Sequence, residues 1–329
     1  MMNDENYARV ISQEKGIYTV TSEHGEQLAE VSGKLRFEAR DPADFPAVGD
    51  FVKTDGVFPN RAVIHSVLPR KTVFIRKAAG RNAQRQVVAV NIDTVFICMS
   101  LNNDFNIKRL ERYLAVSWES GATPVIVLTK TDLCDDLNKY VIDVKSIAFG
   151  VDIVGVTVSE PDSYKKLFNY INKGETAAFI GSSGVGKSTL INKLLGREKL
   201  ATNGLRNDDK GRHTTTKRQL FELENGGMVI DTPGMRELGL WNAEKGLDRS
   251  FSDIESFVRQ CRFSNCNHEG EPGCAIKRAI LEGELSVERW ASYLKLKSEN
   301  SYSENKEEFI SQKKKKFKQI AKINRKRGK

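Results

Sequence analysis

Apolar positions change their period along the chain. Up to about residue 75 they fall in short alternating stretches such as Tyr18-Thr19-Val20 and Leu35-Arg36-Phe37. Turn signals separate these at Gly16, Gly25, Gly33, Pro46, Gly49-Asp50 and Pro59-Asn60. Period-two runs bounded by glycine and proline predict strands. About five short strands in this length predict a small β-barrel. An OB-type barrel is expected over 1–75, with an SH3-like barrel as the alternative, and OB-type barrels commonly bind nucleic acid.

From about residue 87 strands and helices alternate. Thr94–Met99, Val125–Leu128, Val151–Val156 and Thr176–Ile180 read as apolar strands. Ile107–Glu119, Tyr140–Ala148 and Tyr164–Ile171 carry helical spacing. Such alternation predicts a largely parallel sheet with helices on both faces, here over 76–240. A helical segment around a cysteine cluster follows at 241–300, and 301–329 is a basic tail.

Charge alters the picture only at the end of the chain. The net charge is +9, yet residues 310–329 alone carry eight lysines, two arginines and no acid, so everything before them sums to about −1. A run this dense suits a polyanion such as RNA, or serves solubility alone. Arg70, Lys71, Arg76, Lys77, Arg81 and Arg85 form a second basic stretch. It reads equally as a solvated linker or as part of an RNA-binding face. The start of the chain is polar and acidic, and no apolar run reaches the roughly 18 residues of a membrane span. A cytoplasmic protein that touches no membrane is expected.

The chemistry concentrates in four places. Gly181-Ser182-Ser183-Gly184-Val185-Gly186-Lys187-Ser188 fits GxxxxGK[ST], after the strand Ala177–Ile180 and before a helix that Gly196 can stop. Glycines let backbone N–H groups turn around phosphates, and the helix presents its positive end to them. Lys187 supplies a charge for the β- and γ-phosphates, Ser188 a hydroxyl for magnesium, and Thr189 a bond to the α-phosphate. Asp231-Thr232-Pro233-Gly234 follows the strand Met228–Ile230 and sits 43 residues after Ser188. It matches DxxG, in which Asp231 holds a magnesium-bound water and the Gly234 N–H meets the γ-phosphate.

Between these two, Gly211-Arg212-His213-Thr214-Thr215-Thr216 has a threonine where a switch loop needs one. Thr215 is the favoured choice among the three. Met235 stands where many GTPases place a water-orienting glutamine. His213 is a candidate for that task, and a surface or RNA-contacting histidine is the alternative.

Thr129-Lys130-Thr131-Asp132 follows the strand Val125–Leu128 and resembles NKxD, with threonine in place of asparagine. Asp132 can accept the guanine N1–H and 2-amino group, which adenine lacks. Lys130 can lie across the base. Thr157-Val158-Ser159 is a candidate for a further loop that touches the base. Asp132 precedes Gly181 by 49 residues, the reverse of the ordinary order. Together these motifs predict a circularly permuted P-loop domain that binds GTP and magnesium. An ATPase or kinase is disfavoured by Asp132.

Cys261, Cys266, His268 and Cys274 lie within fourteen residues. Three thiolates and one imidazole suit one closed, tetrahedral, structural zinc per chain.

The barrel, the permuted domain, GRHTTT and the Cys-Cys-His-Cys segment together resemble the RsgA/YjeQ family of small-subunit maturation GTPases. The resemblance implies a GTP-hydrolysing factor that binds the small ribosomal subunit and its rRNA late in assembly, with hydrolysis stimulated by the subunit. A monomer is expected. The alternative is a constitutive RNA-binding protein with a regulatory GTP site.

Overall fold

The computed structural model describes residues 6–14, 16–23, 25–55, 61–77, 85–157, 159–200, 218–231 and 243–301. Eleven of the described strands form one continuous sheet. At one end of it β1 (Asn6–Glu14), β2 (Ile17–Ser22), β3 (Gly25–Val31), β4 (Phe51–Thr54) and β5 (Arg61–Val67) close into a barrel in the order β1-β2-β3-β5-β4-β1. The β3–β5 pair is parallel and the others are antiparallel, the arrangement of an OB-type barrel. Period-two alternation turns Ala8, Val10, Tyr18, Val20, Ala29, Val31, Val52, Ala62 and Ile64 into its interior.

Leu35-Arg36-Phe37 does not form a strand. It lies in helix α1 (Gly33–Glu38), which joins β3 to β4. Ser32 caps that helix by accepting the Leu35 N–H at 3.1 Å. A three-residue alternation fits a helix as well as a strand, and the cap decides. Arg70 is likewise not a solvated linker residue. Its guanidinium grips the buried Asp50 carboxylate at 2.7 and 2.8 Å and donates to the Ala43 and Phe45 carbonyls, fastening the segment before β4.

A hairpin of β6 (Val73–Lys77) and β7 (Arg85–Val90) leads to the parallel half of the sheet. There the order is β10-β9-β8-β11-β13, all parallel, from β8 (Thr94–Ser100), β9 (Thr123–Thr129), β10 (Asp152–Val156), β11 (Thr176–Ile180) and β13 (Met228–Asp231). Both β8 and β11 are buried throughout, as expected of strands covered on both faces. Antiparallel β12 (Arg218–Glu222) pairs with β13 on one side and β1 on the other, which fuses the two sheets.

Helices α2 (Ile107–Ser120), α3 (Leu137–Lys145) and α4 (Lys187–Leu194) cover the sheet. The segment Ser163–Tyr170 is a 3-10 helix rather than an α-helix. Its apolar positions Tyr164, Leu167 and Phe168 satisfy either form, and bonds such as Ile171 N–H to Phe168 O select the tighter one.

The C-terminal part holds α5 (Glu244–Ser250), α6 (Ser252–Val258), α7 (Ala275–Leu281) and a helix α8 over described residues 287–301. These pack on α2. Gly246 lies so close that an added Cβ would stand 2.0 Å from the Ala115 carbonyl oxygen. The Arg289 guanidinium, 6% exposed, reaches Glu111 of α2 (2.7 Å) and Asp253 (2.9 Å). Among the described residues no helix is long and apolar enough to cross a membrane.

Candidate functional site

In a parallel sheet the loops that leave the carboxyl ends of the strands gather along one edge. Here that edge receives Asp104 after β8, Thr129–Asp132 at the end of β9, Thr157 after β10, Gly181–Gly186 after β11 and Asp231 at the end of β13. The permuted order therefore brings the two motifs side by side: β9, which ends in the candidate base-reading motif, and β11, which leads into the candidate phosphate loop, both flank β8.

The phosphate loop runs from β11 straight into α4. Gly181 has φ +144°, and an added Cβ would stand 2.4 Å from the Cys98 carbonyl oxygen, so only glycine fits. Gly184 (φ +72°) and Gly186 (φ +101°) take left-handed conformations that turn the backbone around the loop. Gly186 also caps α4, whose first residue is Lys187. The Lys187 ammonium donates to the Gly181 carbonyl (2.8 Å) and the Ser182 carbonyl (2.5 Å). Ser183 and Gly184 lie exposed at the tip, Val185 is buried, Ser188 is half-buried and Thr189 is exposed.

The base-reading motif departs from NKxD at Thr129, and the structure gives that threonine a task. Its hydroxyl, buried beneath the loop, donates to the Val185 carbonyl at 2.7 Å and ties β9 to the phosphate loop. Lys130 is left-handed (φ +56°), which starts the 3-10 turn Thr131–Leu133 and presents Asp132. The Asp132 carboxylate accepts a short hydrogen bond from the Thr157 hydroxyl. This brings the loop after β10 to Asp132, and Ser159 N–H in turn donates to Thr157 Oγ1 at 3.2 Å.

One residue at this edge is not marked in the sequence. Asp104 accepts a short hydrogen bond from the Ser182 hydroxyl and pairs with Arg109 at 2.8 Å. No motif contains it; only its place in space beside the loop brings it out. His213, Thr215 and Gly234 lie outside the described residues.

The cysteine cluster is separate from this edge. Cys261, Cys266, His268 and Cys274 offer ligand atoms all within 4.8 Å of one another. The His268 Nδ1 stands 3.6 Å from both Cys261 Sγ and Cys274 Sγ. A tetrahedral zinc with bonds of about 2.3 Å to sulfur spaces its ligands by roughly 3.8 Å, so the donor set fits that ion. Left-handed backbone at His268 (φ +61°) aims its ring inward, and Trp290 packs edge-on against it. The Ala275 N–H, at the start of α7, points at Cys261 Sγ (3.4 Å), where it supports a thiolate.

The sequence profile of the RsgA GTPase family matches residues 67–241. A protein of Lactiplantibacillus plantarum named small ribosomal subunit biogenesis GTPase RsgA 2 is 49% identical over 301 residues, covering 91% of this chain and 85% of that one. An Oceanobacillus iheyensis protein named small ribosomal subunit biogenesis GTPase RsgA 1 is 43% identical, covering 95% and 91%. Among solved structures, YjeQ from Thermotoga maritima matches with TM-score 0.67 and 27% identity, over 89% of this chain and 97% of that one. YloQ, titled a circularly permuted GTPase, matches in fold with TM-score 0.64 at 23% identity, over 90% and 95%.

Proposed function

The chain belongs to the RsgA GTPase family and is a GTP hydrolase of the circularly permuted type, and from that premise we propose that it acts on the small ribosomal subunit late in maturation. The observation that carries the reading is the convergence of Asp132, Thr157, Thr129 and the phosphate loop on one sheet edge, together with relatives named for small-subunit biogenesis.

Each residue has an assigned part. Asp132 accepts the guanine N1–H and 2-amino donors, and Lys130 covers the base. Thr131 starts the turn that presents Asp132. N–H groups of Gly181–Gly186 surround the β- and γ-phosphates, Lys187 contributes its charge, and Thr189 reaches the α-phosphate. Ser188 and Asp231 would hold magnesium, the aspartate through a water, and Thr215 would complete its shell. Bound magnesium supplies charge neutralisation for in-line transfer of the γ-phosphoryl group to water. Gly234 N–H meets the γ-phosphate. His213 orients the attacking water, in the absence of a glutamine at Met235. Such a site hydrolyses GTP slowly by itself, and docking on the subunit completes it.

The four-part division into barrel (1–75), GTPase (76–240), helical zinc part (241–300) and tail (301–329) assigns RNA contact to the ends of the chain. Supporting the barrel's share, Phe37 on α1 is 90% exposed, with Lys34, Arg36 and Arg40 exposed beside it. An aromatic among cations suits a stacked base and its phosphates. One structural zinc in the Cys-Cys-His-Cys site, a monomeric state and a cytoplasmic location complete the reading. The family's hydrolytic chemistry disfavours a constitutive RNA binder with a merely regulatory nucleotide.

GTP turnover by the purified protein, with small subunits, large subunits or neither, tests this, with ATP as a control. Stimulation by small subunits alone is expected. Equal turnover in all three conditions would refute the proposed partner. His213→Ala should reduce turnover more than GTP binding; unchanged turnover removes His213 from the mechanism.

A further inference from the structure

Chain order runs from β8 to β9 and β10 on one side, while β11 lies on the other side of β8. The crevice between β8 and β11 is thus the point where strand order reverses, the usual seat of a ligand in such sheets. The phosphate loop opens on one wall of that crevice. On the other, the chain leaves β8 through Asp104 and enters α2. The Asp104 carboxylate receives the Ser182 hydroxyl and takes Arg109 Nη1 on both oxygens, at 2.8 and 3.0 Å. Ser182 is engaged at both ends, because its carbonyl oxygen accepts the Lys187 ammonium at 2.5 Å.

We propose that Asp104 is a positioning residue for the nucleotide site: it fixes Ser182, and through Ser182 the Lys187 ammonium that meets the phosphates. The idea rests on the GTPase reading of the same site. A carboxylate beside a phosphate-binding loop repels the ligand unless its charge is met. Arg109 meets it directly, and Lys130 lies within electrostatic reach. Partial burial raises the Asp104 proton affinity, yet the Ser182 bond and Arg109 outweigh that and keep the carboxyl below its ordinary range. The contribution of Asp104 is therefore geometric rather than electrostatic. Arg109 sits on α2, whose other residues Glu111 and Arg112 bind Arg289 and Glu299 of α8, so the position of Asp104 is set by a helix anchored elsewhere in the molecule.

Affinity for a fluorescent GTP analogue tests the proposal on the full chain, with thermal midpoints recorded for each variant. Asp104→Ala and Ser182→Ala should each weaken GTP about fivefold to tenfold, the scale of one charged hydrogen bond removed at a partly exposed site. Asp104→Asn keeps an acceptor for Ser182 and should recover most of the loss. The double Ala variant should bind no worse than the weaker single one, because both remove the same hydrogen bond. If Asp104→Ala lowers the thermal midpoint sharply, Ser182→Ala and Asp104→Asn still decide the matter in folded protein. Additive losses, no rescue by asparagine, or Ser182→Ala within twofold of the wild type would overturn the proposal. A wild-type protein that binds no guanine nucleotide would instead remove the GTPase reading beneath it.

Discussion

At the scale of single residues, the departure from NKxD is the most informative. Threonine lacks the amide of asparagine, and from the motif alone one supporting contact is missing. The structure supplies it differently, with the Thr129 hydroxyl bound to the Val185 carbonyl inside the phosphate loop. In the proposed function, base reading and loop support are thus divided: Asp132, which accepts from Thr157, is assigned the base, while Thr129 joins the two loops. Thr129→Val should weaken GTP and GDP alike by about fivefold, the worth of one buried neutral hydrogen bond of roughly 1 kcal/mol. Its preference for GTP over ATP should persist. Asp132→Ala should sharply reduce that preference, since it removes the carboxylate that pairs with the guanine donors. Competition binding with GTP, GDP and ATP separates the two roles, and a loss of preference in Thr129→Val would contradict the division.

Elements show why part of the molecule is legible in sequence and part is not. Strands β8, β9, β11 and β13 announce themselves because they are continuous apolar runs, and β9, β11 and β13 each end in a motif whose spacing depends only on local geometry. The pairing of β12 with β1 joins residues about two hundred apart, Ser12 with Gln219 and Gln13 with Arg218, and no local pattern encodes it. Its side-chain counterpart is Arg9, buried in β1. The Arg9 guanidinium donates to Thr176 Oγ1 (2.7 Å) and Gly49 O (3.4 Å), and packs over Phe51. Read in sequence, an arginine in a strand suggests an outward surface; the neighbouring β11 makes that surface an interior. Arg9→Ala should cost about 2 to 4 kcal/mol, for the charged hydrogen bonds and packing it removes at a buried site. Urea unfolding monitored by fluorescence measures this, and a loss below about 0.5 kcal/mol, the range of ordinary surface changes, would deny Arg9 its role in the seam.

The cysteine segment makes a second prediction at this scale. Burial pushes the Cys98 thiol up to about 12, so at pH 8 it stays protonated and unreactive. Cys134 is half-buried, and burial with the nearby acids Asp135, Asp136 and Asp132 raises its thiol as well. In zinc-loaded protein at pH 8 an alkylating reagent should modify Cys134 alone, and slowly. Adding a chelator should bring Cys261, Cys266 and Cys274 into reaction, with Cys98 following only on unfolding. Intact-mass measurement counts the adducts at each stage. Rapid labelling of the three clustered cysteines before chelation would exclude the ion as their ligand.

For the molecule as a whole, charge is divided unevenly along the chain. The tail carries +10 while the remainder sums to about −1, so long-range attraction to a polyanion depends on the last twenty residues rather than on residues 1–309. The folded parts are joined through the α2 helix, where Glu111, 2% exposed, binds Arg289 and accepts a short bond from Ser292. Docking, which needs shape, and attraction, which needs charge, are therefore separable. A chain ending at residue 309 should keep its intrinsic GTP turnover, because no residue assigned to the nucleotide site lies beyond Asp231 and Gly234. Its affinity for small subunits should fall, and the remaining affinity should depend less steeply on salt. Each phosphate that the shortened chain leaves unneutralised reduces the slope of log affinity against log salt by about 0.7 to 0.9. Binding measured across a salt series for both chains gives that difference directly. Parallel lines, with or without an offset, would mean that the tail makes no ionic contact with RNA and that residues 1–309 supply the whole electrostatic attraction.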